Sequence, residues 1–69
     1  MLSENSIVRS LKDVPENGVE KGDIGTIVHC YVKPREGYEI EFLDKDGYTK
    51  AVLTYERREL EPLENQEAI

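Results

Sequence analysis

The sequence predicts an all-β domain, a compact antiparallel barrel of five short strands. Runs rich in β-branched and aromatic residues recur at regular spacing, clusters of Gly, Pro, Asn and Asp separate them, and little of the chain reads as helix. Residues 7–11 form the first predicted strand. Residues 12–23 follow as an irregular but ordered loop, in which Pro15 fixes one φ and Gly18 and Gly22 admit positive values. Residues 24–32 give the strongest strand signal, with Gly25 marking a bulge or a close backbone crossing. Lys33-Pro34-Arg35-Glu36-Gly37 breaks that strand. Residues 38–42 then alternate strictly, Tyr38, Ile40 and Phe42 on one face and Glu39 and Glu41 on the other. Asp44-Lys45-Asp46-Gly47 is a hairpin turn, and residues 48–54 are the fourth strand. A single helical turn at 55–58 precedes a short last strand at 59–61. The barrel spans residues 1–62, and residues 63–69 are expected to be a flexible acidic tail. The long loop after the first strand, the tight middle hairpins and the turn before the fifth strand fit an SH3-like barrel, which also disposes of exposed sheet edges.

A register follows from pairing Val32 with Tyr38 and Leu43 with Tyr48. It sets Cys30 against Ile40, Val28 against Phe42, His29 against Glu41, and Glu41 against Lys50. The predicted core is Val28, Cys30, Val32, Ile40, Phe42, Ala51 and Leu53, closed by Leu60 and one apolar residue of the first strand. His29, Tyr31, Glu39, Glu41, Tyr48, Lys50 and Val52 take the opposite face.

Composition bounds the function. Sixty-nine residues, 38% of them hydrophobic and 35% charged, suffice for one small domain, and folding buries only about 60% of the unfolded surface at this size. Nine basic and fifteen acidic residues give a net charge of −6 and a pI near 4.7. That balance disfavours nucleic acid, whose affinity comes largely from Lys and Arg displacing counterions. The longest uncharged stretch, residues 24–32, is too short to span a bilayer and no secretory leader opens the chain, so the expected location is cytoplasmic. One cysteine excludes an internal disulfide and a cysteine-based zinc site.

Asp13-Val14-Pro15-Glu16-Asn17-Gly18, followed by Lys21-Gly22-Asp23-Ile24-Gly25-Thr26-Ile27-Val28, resembles the D-x-P-E-x-G-x-x-x-G-D-x-G-T-x-V core of a family of small bacterial proteins filed as a domain of unknown function. Tyr38-Glu39-Ile40-Glu41-Phe42 is similar to its Y-E-V-E-F-like strand, and Asp44-Lys45-Asp46-Gly47-Tyr48-Thr49-Lys50-Ala51 to its D-x-x-G-x-T-x-A turn. The resemblance runs from about residue 6 to residue 62 and implies an SH3-like barrel, with very little about activity. Residues 22–28 alone also resemble the KOW element of ribosomal and transcription-associated barrels, where backbone geometry rather than function accounts for such a pattern.

The candidate chemical sites each have a structural counter-reading. Adjacent strand residues face opposite ways, so His29 cannot activate the Cys30 thiol, which reads as a small core hydrophobe. His29, Glu41 and Lys50 read as a cross-strand charge ladder rather than a proton-transfer cluster. Asp44–Gly47 lacks the later ligands of a calcium loop, and the glycines at 18, 22 and 25 make no phosphate cradle. Arg57-Arg58 is flanked by glutamates that pair with it. Two surfaces remain as candidate partner contacts. One is the loop residues Asp13, Pro15, Glu16 and Asn17, which are also readable as a structural turn. The other is exposed Tyr31 and Tyr48 beside Val52.

The expected function is therefore non-enzymatic: a protein-interaction module acting as a small accessory or inhibitory subunit, of antitoxin or immunity type, for a basic protein partner. No catalytic residue, metal ligand or cofactor is assigned. A KOW-type nucleic-acid or ribosome-associated barrel is the alternative.

Overall fold

The computed structural model describes residues 2–63. Of the predicted tail only Leu63 is among them, and the rest of that expectation lies outside the described residues. Five strands form one antiparallel sheet: β1 (Ile7–Ser10), β2 (Ile24–Tyr31), β3 (Gly37–Leu43), β4 (Thr49–Tyr55) and β5 (Leu60–Pro62). Their order in space is β4-β3-β2-β1-β5. Among the described residues the chain is all-β as the sequence predicts, its helical content limited to two 3₁₀ turns, Pro15–Asn17 and Arg57–Glu59, the second just before the last strand. The sheet is open, with β4 and β5 as its edges.

Alternation on β3 builds the centre of the core. Tyr38, Ile40 and Phe42 are buried, joined by Val8, Val19, Ile27, Ala51, Tyr55 and Leu60. Leu2, Val14, Cys30 and Leu53 pack against this cluster. The one buried polar side chain among the described residues, Ser10, is fully satisfied. Its hydroxyl donates to the Lys12 carbonyl at 2.7 Å, so the Tyr55 hydroxyl, also at 2.7 Å, is the donor in their mutual bond.

The observed register differs from the predicted one by two residues at the loop end of the β2–β3 hairpin. Tyr31 pairs with Gly37, Cys30 with Tyr38 and His29 with Glu39. A shift of two preserves the faces, so Cys30 turns inward and His29 outward, as the sequence indicates. Val28 is then an extra residue on β2: Ile27 pairs with Ile40 and Thr26 with Glu41. This bulge reverses the alternation, burying Ile27 and leaving Val28 exposed. The predicted core position of Val28 is thus corrected. So is that of Val32, which lies beyond the end of β2 and is 65% exposed.

The β3–β4 hairpin carries a second irregularity. Asp44 closes the turn: its Oδ1 accepts the amides of Asp46 and Tyr48, and its own amide donates to the Tyr48 carbonyl. Leu43 therefore pairs with Thr49 rather than Tyr48. Lys50 is an extra residue on β4, after which Phe42 pairs with Ala51, Glu41 with Val52 and Ile40 with Leu53. The two single-residue displacements cancel in parity, which keeps Ala51 and Leu53 facing inward as predicted.

Candidate functional site

The loop between β1 and β2 is held by its own backbone. Val14 and Val19 form a two-way bridge at 2.8 and 3.2 Å around the Pro15–Asn17 turn, and Gly18 closes it at φ 72°. That φ favours glycine. Asp13 Oδ1 accepts the Lys21 amide at 2.8 Å, and Asp23 Oδ2 accepts the Glu20 amide at 2.9 Å. The Ser10 amide donates to the Asp23 carbonyl and the Ser10 carbonyl accepts from the Gly22 amide, both at 2.8 Å, which ties the far end of the loop to β1. Val19 is fully buried beneath. Asp13, Pro15 and Gly18 therefore perform the structural roles of the turn reading, while Glu16 and Asn17 stand exposed at its tip.

The outer face of β2, β3 and β4 gathers two carboxylates. Glu39 lies between Tyr31 and Thr54, accepting the Tyr31 hydroxyl at 3.3 Å and the Thr54 hydroxyl at 2.6 Å. Glu41, two residues along and about 7 Å away by strand geometry, accepts the Thr49 hydroxyl at 2.6 Å. Among the described residues, no cation lies within ion-pair distance of either. Val52, half exposed, pairs with Glu41 across the β3–β4 ladder. Desolvation, followed by the Glu39 charge, raises the pKa of the Tyr31 phenol, so it stays protonated and remains a donor. His29 packs edge-on against Tyr31 at 4.6 Å between ring centroids, and its Nδ1 lies 3.8 Å from Glu4.

The predicted His29–Glu41–Lys50 ladder does not assemble. The β2 bulge sets His29 opposite Glu39, and the β4 bulge turns Lys50 toward the loop, with its Nζ 3.9 Å from Asp23 Oδ2. Nor do Tyr31 and Tyr48 make one patch around Val52: Tyr31 is on the sheet face, whereas Tyr48 sits in the β3–β4 turn, 74% exposed. Cys30 is half-buried, its thiol 3.5 Å from the Leu2 carbonyl, and burial, then Glu4 and Glu36, raise its pKa. Such a thiol resists becoming a thiolate nucleophile.

One feature escaped the sequence reading. A cavity of ≈ 410 Å³ opens beside the β2–β3 loop, walled by Tyr31, Pro34, Arg35, Tyr55, Glu56 and Glu59. Lys12 lies 4.5 Å above the Tyr55 ring and 3.1 Å from Glu59. Glu59 Oε1 also accepts the Glu56 amide at 2.9 Å. That bond, more than Lys12 and Arg58, lowers the carboxyl below its ordinary pKa, against the opposing effect of burial. The signal was in the sequence: Glu56 and Glu59 have the spacing of a reciprocal cap. Recognising it places the turn at Arg57–Glu59 and Tyr55 in β4, on the wall of the cavity. Among the described residues, no three His, Cys, Asp or Glu side chains converge as metal ligands.

Comparison with known proteins places this geometry in a family. The model of the family described as a domain of unknown function, DUF4926, matches residues 4–62. No curated protein and no solved structure matches the chain. The chain belongs to the DUF4926 family.

Proposed function

We propose that this member of a family of unknown function is a non-enzymatic protein-interaction module, a small accessory or inhibitory subunit that engages a basic protein partner through the outer face of β2–β4. The observation that carries the reading is the pair Glu39 and Glu41, both oriented by hydroxyl donors and neither matched by a cation of the described chain. A carboxylate already held in place loses little further conformational freedom on binding. Its remaining lone pairs suit the forked donors of arginine. Tyr31 and Val52 supply apolar area beside these charges, as interface contacts commonly do. A net charge of −6 would speed the approach of a basic partner. Four cationic side chains, Arg9, Lys12, Lys50 and Arg58, are instead engaged by this chain's own carboxylates, which weighs against a phosphate-backbone partner. In this reading the exposed loop tip, Glu16 and Asn17, and Tyr48 in the β3–β4 turn are peripheral contacts.

The test compares two double variants as baits at endogenous level. Glu39→Gln/Glu41→Gln should lose the basic protein that the parent chain captures in stoichiometric amount. Glu20→Gln/Asp46→Asn, which removes the same charge elsewhere, should retain it. Equal retention or equal loss by the two would sink the assignment of this face.

A further inference from the structure

The two edges of the sheet are treated differently. β5 is three residues long, ends in Pro62, and carries Glu61 in an ion pair with Arg9 of β1. Shortness, proline and charge are the ordinary means of keeping a sheet edge from recruiting another strand. β4 has seven residues and no proline. Its lysine and its bulge, both edge-blunting devices, are confined to Lys50, which lies next to the turn and reaches back toward Asp23, and residues 51–55 form a regular, uncharged edge. Among the described residues, every backbone hydrogen bond of the β4 ladder goes to β3. The outward row of β4 amides and carbonyls is therefore available as a template. Its inner face is also incomplete: Leu53 packs against the core yet stays only half-buried.

We infer that the partner contributes an extended segment that pairs with β4 as a sixth strand, alternating basic with apolar side chains. This rests on the proposed function and specifies how the partner docks. Strand addition derives affinity from main-chain bonds and specificity from alternate side chains. Apolar side chains of the added strand would point inward and complete the burial of Leu53. Basic side chains on the other face would pass over Val52 and Thr54 toward Glu39 and Glu41, which lie two strand spacings away, about 10 Å. Extended Arg and Glu side chains span that gap. The charge complementarity selects a partner segment over a second copy of this chain, whose own β4 offers only one cation.

The probe is a short, end-blocked synthetic peptide alternating arginine with valine, titrated into the isotope-labelled full chain and followed by amide shifts and exchange. Two isomers N-methylated on opposite sets of alternate residues accompany it. Binding should slow exchange of the β4 amides by about tenfold or more. One methylated isomer should bind at least about tenfold more weakly than the parent peptide and the other equally, since only one edge of the peptide faces β4. Equal binding by both isomers overturns strand addition, as does absence of binding. If that binding is still lost in Glu39→Gln/Glu41→Gln, the acidic-face reading survives without it. If binding by the unmethylated peptide persists in the double variant, the acidic face is wrong whatever the isomers do. Concentration-dependent dimers of the peptide-free chain with protected β4 amides would assign the edge to a second copy and overturn the inference.

Discussion

A methyl group on Gly25 would lie 2.6 Å from Ile40 Cγ2, 2.9 Å from the Glu41 carbonyl oxygen and 3.0 Å from Phe42 Cδ1. Two of these neighbours are core side chains and the third is backbone, so none can give way cheaply. Gly25→Ala should therefore destabilise the fold by about 1–3 kcal/mol, the range for overpacking a filled core, read from the midpoint of denaturant unfolding. Sequence alone indicated a bulge or a close crossing at this glycine, and the crossing is what the structure contains. A second residue-level outcome concerns Glu59. The Glu56 amide, helped by Lys12 and Arg58, lowers its carboxyl pKa from the ordinary 4.5. A lowered folded-state pKa stabilises the protein above the unfolded value, and that stability is lost as pH falls through the folded one. Glu59→Gln should therefore be less stable than the parent at neutral pH. The gap should narrow on acidification below the ordinary carboxylate range, and a gap constant with pH would refute the assignment.

At the level of elements, the loop between β1 and β2 separates structure from recognition. Asp13→Ala removes the acceptor for the Lys21 amide, which should reduce stability by about 1 kcal/mol. Gly18→Ala forces a side chain onto φ 72°, at a further cost of about 1–2 kcal/mol. If the loop is purely structural, both variants should still capture the partner at a temperature where they remain folded. Loss of capture by folded Asp13→Ala would place the loop in the interface. The strands show why part of this architecture was legible and part was not. The strict alternation of β3 fixed its faces without ambiguity, and the turn at Asp44–Gly47 stands where the sequence indicated. The bulges at Val28 and Lys50 left no local mark, because a β-branched residue and a lysine are equally acceptable in a regular strand. What demands the extra residue at 28 is tertiary: Ile27 and Cys30 must both face the core, and three residues of strict alternation cannot achieve that. The same difficulty hid the acidic site. Tyr31 and Val52 were read from the sequence as partner contacts and Glu39 and Glu41 only as outer-face residues. The partner of His29 and the hydroxyl donors Thr54 and Thr49 depend on registers that the bulges set.

For the whole molecule, charge acts on folding and on binding with opposite sign. The described residues span 30 × 28 × 18 Å. At 0.01 M salt the screening length is about 30 Å, so charges across the full width of the domain interact, whereas at 0.15 M it is about 8 Å and only neighbours do. With a net charge of −6 and two uncompensated carboxylates on one face, the long-range sum is repulsive in the folded state. The surface ion pairs, Arg9–Glu61 and Arg58–Glu56 among them, are screened as well, but exposed pairs contribute little. Raising salt from the lower to the higher value should therefore raise the melting temperature, by on the order of a few degrees for a domain of this size. Glu39→Gln/Glu41→Gln should show a smaller rise, because part of the repulsion is already gone. Partner association should move the other way: its rate should fall with the same increase in salt, and fall less steeply for the double variant. A fold stabilised by salt and a complex slowed by it, both effects muted by the same two substitutions, would tie the excess negative charge to recognition. Parallel salt responses in the double variant and in Glu20→Gln/Asp46→Asn would instead spread that effect over the whole surface and remove Glu39 and Glu41 from any special role.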